Sequence, residues 1–144
     1  MSRWPALNPV QQQELLGEMT AVMVAAQPPD WREVLIDYHH LGKYTDGVAG
    51  ALDPGGTYRL WNPPPEVWQM FQRLRGGMYR EGEGTWFSAR MKIERPARFT
   101  VRYSWRERPS FPTWPTPDQF VLELERFPRG DAYLPPWFRE NLPT

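Results

Sequence analysis

Hydrophobic positions along the chain change period several times, and each change marks an element. Leu15, Leu16, Met19, Val22, Met23 and Ala26 recur at three- and four-residue spacing, the period of one helix face. Asn8 is a favoured N-cap type and Pro9 suits a first helical position, so the spacing predicts a helix over 9–26. The run Gln27-Pro28-Pro29-Asp30 stops it. From Trp31 to His40 the period drops to two. Val34, Ile36 and Tyr38 fall on one side and Glu33, Asp37 and His39 on the other, the pattern of a half-buried strand. Turn chemistry lies around Asp46-Gly47. Val48–Leu52 and Thr57–Trp61 then form two short strands across the Asp53-Pro54-Gly55-Gly56 turn.

A second helical stripe follows, with Val67, Phe71, Leu74 and Met78 between Pro65 and Tyr79 and Gly76-Gly77 weakening its last turn. The strongest alternation comes next. Phe87, Ala89, Met91 and Ile93 alternate with Trp86, Ser88, Arg90 and Lys92. After a turn near Pro96, Phe99, Val101, Tyr103 and Trp105 alternate with Thr100, Arg102, Ser104 and Arg106. This predicts a long antiparallel hairpin with one apolar and one arginine-rich face. Arg108 to Pro117 is a Pro-rich loop. Thr116-Pro117-Asp118-Gln119 has the form of a capping box, opening a helix with Phe120, Leu124 and Phe127 inward. Strand runs joined by short turns and separated by helices define an α+β class. The expected architecture is one domain over residues 1–144. It has an antiparallel sheet, a meander plus a long hairpin, and about three helices packed mainly on one face.

Composition narrows what such a domain does. The formal net charge is zero, so no electrostatic reason exists to gather nucleic acid or coat an anionic membrane. There is no cysteine, hence no disulfide and no thiolate metal site. No apolar core of a signal peptide stands near the N-terminus, and the longest apolar run, Ala21–Ala26, is far below the roughly 18–20 residues of a membrane span. These features predict a cytoplasmic protein. Only Lys43 and Lys92 are lysines; arginine supplies the other basic residues and suits stacked and bidentate contacts.

Catalytic constellations are missing from the pattern. His39 and His40 are adjacent on a strand and point to opposite faces, so they cannot share a metal. Ser88 lacks the glycines of a nucleophile elbow. Glu81 and Glu83 lie in a Gly-rich loop that reads as exposed and flexible, the setting of solvated surface charges rather than of an acid–base pair. Asp53-Pro54-Gly55-Gly56 lacks the Gly-Lys-Ser/Thr of a phosphate loop. The expectation is therefore no catalytic residue, no metal, no cofactor and no enzymatic activity.

The run from Leu74 through Arg80-Glu81-Gly82-Glu83-Gly84-Thr85-Trp86-Phe87-Ser88 resembles the helix-to-strand signature of the YezG-like family of bacterial antitoxins. So does Phe99-Thr100-Val101-Arg102-Tyr103 with Leu122 to Arg129, closed by Trp137 after Pro135-Pro136. The resemblance covers residues 66–138. It implies an immunity protein that binds a cognate polymorphic toxin, the C-terminal domain of a secreted effector, and neutralises it by stoichiometric occlusion. It carries over no catalytic residue. Family members have an acidic pair after the strand tyrosine, where this chain has Ser104-Trp105-Arg106-Glu107, so a nuclease and an NAD-cleaving toxin both stay open as partners. From the residues themselves, the arginine-rich hairpin face with Trp86, Arg90, Lys92, Arg102 and Arg106 is the expected contact surface, because Trp and Arg dominate binding energies. Glu81, Glu83 and Trp114 are the next candidates. The competing classes are a small enzyme with an unrecognised site and a Trp-rich peptide- or carbohydrate-binding module.

Overall fold

The computed structural model of the chain describes residues 4–143. Helix α1 spans Pro9–Ala25 and opens with a capping box. The Asn8 side chain accepts from the Gln11 N–H at 2.8 Å, and Gln11 Oε1 accepts from the Asn8 N–H at 2.9 Å. Its Leu16, Met19 and Met23 are buried, as the spacing requires. The strands β1 (Glu33–Leu41), β2 (Tyr44–Leu52) and β3 (Tyr58–Leu60) form the meander. Helix α2 (Glu66–Gly77) leads to the hairpin of β4 (Ser88–Glu94) and β5 (Arg98–Ser104). Helix α3 (Pro117–Arg126), a 3₁₀ turn (Asp131–Tyr133) and the short helix α4 (Pro136–Arg139) complete the order. All strands pair antiparallel in one five-stranded sheet of order β3-β2-β1-β4-β5, an α+β fold. Strand β1 is central because β4 docks on the side that β2 leaves free.

Two clusters hold the molecule together. In the first, α1 and α2 cover the sheet face that carries Val34, Ile36, Tyr38, Ala49, Ala89, Met91 and Ile93. In the second, Leu41 at the end of β1 meets Phe87, Phe120 of α3 and Phe138 of α4, with Trp114 and Trp137 beside them. Two of the three long helices thus share a face, and α3 packs with the tail around its own cluster.

Three local expectations change. The first turn of the meander is Gly42-Lys43, not Asp46-Gly47. Leu41 pairs with Tyr44, and Gly42 has φ +64°, as the first central position of a type II′ turn demands. Gly47 lies inside β2 because the Trp68 indole of α2 lies over it: a Cβ there would meet Trp68 Cζ3 at 2.5 Å. Glycine marks a close approach here, not a turn. Gly47→Ala is accordingly expected to cost about 1–3 kcal/mol through overpacking, read as a lower urea midpoint at unchanged slope. Second, α3 has no capping box. Thr116 is its N-cap, but the Thr116 hydroxyl bonds the Asp118 carboxylate, and Gln119 Oε1 accepts from the Lys43 N–H at 2.8 Å. The glutamine ties α3 to the β1–β2 turn instead.

The third change concerns the hairpin start. The chain bends at Phe87, so strand alternation begins only at Ser88. The Phe87 N–H donates to the Ser104 carbonyl at 2.8 Å and its carbonyl accepts from the His40 N–H at 2.9 Å. Trp86 is thereby turned into the first cluster and Phe87 into the second. Trp86 is 0% exposed and packs against Tyr38 and Tyr103 at 6.0 and 5.4 Å between ring centroids. It does not stand on the arginine-rich face. Gly76 and Gly77 are the last two residues of α2, and Trp4 and Leu7 press on the space where their Cβ atoms would be.

Candidate functional site

The sheet face opposite α1 and α2 is ordered in rows across the strands. Strand register places Leu60, Gly50, Leu35, Lys92 and Thr100 side by side through all five strands. The next row holds Val48, Asp37, Arg90 and Arg102. A third holds Tyr58, Leu52, Glu33, Glu94 and Arg98. The β3 side of this face is apolar and the β5 side basic. Val48, Tyr58 and Leu60 are exposed, Leu60 to 87%. Side-chain-free Gly50 leaves a dip between Leu60 and Leu35. A shallow groove of about 390 Å³ runs between Leu35, Tyr58, Lys92 and Arg102.

Ion pairing on the face is uneven. Arg90 donates to both oxygens of Asp37 at 3.0 and 3.4 Å, and Lys92 pairs with Glu33 at 3.2 Å. Arg98 pairs with Glu94 at 3.5 Å. Arg102 stands directly opposite Arg90, and among the described residues it has no ion-pair partner. Like charges facing each other across two strands destabilise a sheet. Asp37 offsets that on the Arg90 side and leaves Arg102 as the uncompensated group.

Of the sequence-predicted contact residues, the fold brings Arg90, Lys92 and Arg102 together. Arg106 lies past the end of β5, exposed, its carbonyl held by Trp137 Nε1 at 2.7 Å. The parity that placed it on the face stops at Ser104. Trp86 is in the core. Glu81 is exposed and Glu83 half-buried, in a loop that carries backbone hydrogen bonds of its own. The Arg80 N–H donates to the Gly84 carbonyl at 2.9 Å, and the Gly130 N–H to the Gly82 carbonyl at 2.7 Å. Trp114 belongs to the second cluster: its Nε1 donates to Asn141 at 2.9 Å and Arg108 lies 4.1 Å over its ring. The sequence reading missed Leu35, Val48, Tyr58 and Leu60. Parity within the meander carried the signal, since Leu35 alternates with the inward Val34 and Ile36.

The histidines have separate tasks. His39 Nδ1 is 2.7 Å from Ser88 Oγ across the β1–β4 pair, a nucleophile–base contact in form. The Phe111 ring stands edge-on to that imidazole at 5.9 Å. His40 is on the other side, its Nε2 at 2.9 Å from the Gly42 carbonyl and its Nδ1 at 2.8 Å from the Tyr38 hydroxyl. A carbonyl only accepts, so Nε2 carries the proton and the Tyr38 hydroxyl donates to Nδ1. Among the described residues no group of three or more His, Asp or Glu could hold a metal ion.

Burial holds the His40 pKa well below 6.5, and the nearby Arg75 and Arg126 charges push the same way against the Gly42 hydrogen bond. Burial also lowers that of His39, with Asp37 and Asp46 opposing. A depressed folded-state pKa means that the unfolded chain takes up the proton first. The stability from the neutral ring is complete above 6.5 and is lost as pH falls from there towards the folded-state value. Each such histidine adds up to about 1.4 kcal/mol per pH unit to the slope. Denaturation at pH 7, 6 and 5 should show wild-type stability falling and His40→Gln falling less steeply, the His39 share remaining.

Comparison with protein-family models gives no match, and comparison with curated proteins gives none either. Among the described residues no helix is long and apolar enough to cross a membrane.

Proposed function

We propose that this chain is a YezG-like immunity protein that docks on a cognate toxin domain in the cytoplasm through the open sheet face and blocks it by occlusion. The observation that carries this reading is the face itself. Exposed Leu60, Tyr58 and Val48 adjoin a basic half whose Arg102 lacks a partner within the described chain. Contiguous apolar surface beside fixed arginines is what interaction sites carry, and strand spacing lowers the entropy lost on docking. Arg90 and Lys92 are half neutralised by Asp37 and Glu33, so Arg102 supplies most of the free charge.

The test is protection in cells. If a polymorphic toxin domain is encoded beside this gene, co-expression should restore growth in its presence, and non-cognate toxins should not be neutralised, since specificity needs mismatches as well as contacts. Leu60→Asp or Arg102→Ala should weaken protection while the protein accumulates normally. Full protection by the double variant would sink the assignment of the face, and no protection by the wild type would sink the immunity reading. The enzyme alternative rests on the Ser88–His39 contact. Under the reading preferred here, ester and amide substrates are not turned over; multiple turnover abolished by Ser88→Ala would reverse the choice.

A further inference from the structure

A second concavity lies on the opposite side of the molecule, where α2, α3 and the β1–β2 turn meet. It is a cleft of about 540 Å³ with Arg75, Gln72 and His40 on one side, Lys43 and Arg126 on another, and Trp4 and Phe127 as aromatic walls. Glu125 is the carboxylate on its lining, against three basic side chains. The other nearby carboxylate, Glu123, is already spent: Oε2 takes Arg75 Nη2 at 2.6 Å and Oε1 takes the Gly42 N–H at 3.0 Å.

Arg75 is 1% exposed. The Nε and Nη2 edge of its fork is used, Nε donating to the Trp86 carbonyl at 2.8 Å. The remaining corner, Nη1, has no hydrogen-bond partner among the described residues. A buried donor left unpaired costs stability, and on a cationic group the cost is greater. His40 cannot relieve it, because both ring nitrogens are engaged and the ring stays neutral. The guanidinium also stacks 5.3 Å over Phe127, itself a wall of the cleft.

We propose that this cleft binds a small organic oxyanion, a carboxylate or phosphate ester with a flat apolar body. The oxyanion meets the charges of Lys43 and Arg126 at the mouth, with the buried Arg75 guanidinium behind them, and the apolar body lies against Trp4 and Phe127. Charge-assisted bonds to guanidinium are the strong ones, and the volume falls in the range of small-molecule sites. The site is independent of the open sheet face and of any toxin.

Amide NMR titration of the full chain tests it, with inorganic phosphate and phenyl phosphate as probes at constant ionic strength. Both should move the amides of Gly42, Lys43, Gly76 and Phe127 saturably, phenyl phosphate binding more tightly. Arg75 variants would disturb folding, so the mouth is varied instead. Lys43→Ala and Arg126→Ala should each weaken phenyl phosphate binding about fivefold or more, the size of one lost charge-assisted contact. Arg32→Ala, on the exposed loop before β1, should leave it unchanged. Non-saturating shifts scattered over surface arginines, or equal loss in all three variants, would mean an adventitious ion only, and no shift at all would mean no binding; each of these overturns the proposal.

Discussion

Glu123→Ala is expected to lower folding stability by about 3–5 kcal/mol, the range for breaking a buried ion pair from one side. Glu123 and Arg75 form an ion pair of 2.6 Å with side chains 0% and 1% exposed. The pair joins α3 to α2, and through the Gly42 N–H it also joins α3 to the β1–β2 turn. Removing the carboxylate strands the Arg75 charge in the interior and leaves the Gly42 N–H without an acceptor. Desolvation dominates such a loss, which fixes its rank above solvent-screened surface pairs such as Arg59–Asp53. The double variant Arg75→Met/Glu123→Leu should recover most of the stability, because neither charge is then buried. Urea denaturation measures both. A Glu123→Ala cost below about 1 kcal/mol would show that water reaches the pair, since surface-like pairs behave that way.

Trp86→Ala should cost about 3–5 kcal/mol, the range for large aromatic truncations in a core. Trp86 touches Tyr38 and Tyr103 and lies in the cluster under α1 and α2, where no rearrangement of the paired strands can fill its volume. The contrast with Arg102→Ala is the useful part. Both residues belong by sequence to the same polar stripe of the hairpin, yet Arg102→Ala should change stability by no more than about 0.5 kcal/mol. Comparable losses from the two would mean that Trp86 lies on the surface.

That pair of residues also shows how far the sequence could be read. The hydrophobic period was enough for the presence of α1, α2, α3, the meander and the hairpin, because each buries one stripe or one face and the burial writes itself into the pattern. The bend at Phe87 left no such trace. It arises from two tertiary hydrogen bonds, to Ser104 and His40, and it inverts the sides of Trp86 and Phe87. Gly47 misled for a related reason, since a glycine under the Trp68 ring looks the same in sequence as a glycine in a turn. The basic half of the open face was legible from alternation in β4 and β5. Its apolar half was not, because Leu60 and Leu35 become neighbours only through the strand register. The Arg75–Glu123 pair joins positions 48 residues apart and has no local signature.

Whether the open sheet face is the docking surface is tested most directly by calorimetric titration of a toxin domain that the wild type neutralises in cells, as the proposed function requires, into wild type and Arg102→Ala. The account predicts one-to-one binding by the wild type, weakened by about 2 kcal/mol or more in the variant, with an unchanged melting temperature. A variant affinity within about 0.5 kcal/mol of wild type would contradict it, since that is the behaviour of a residue outside the interface.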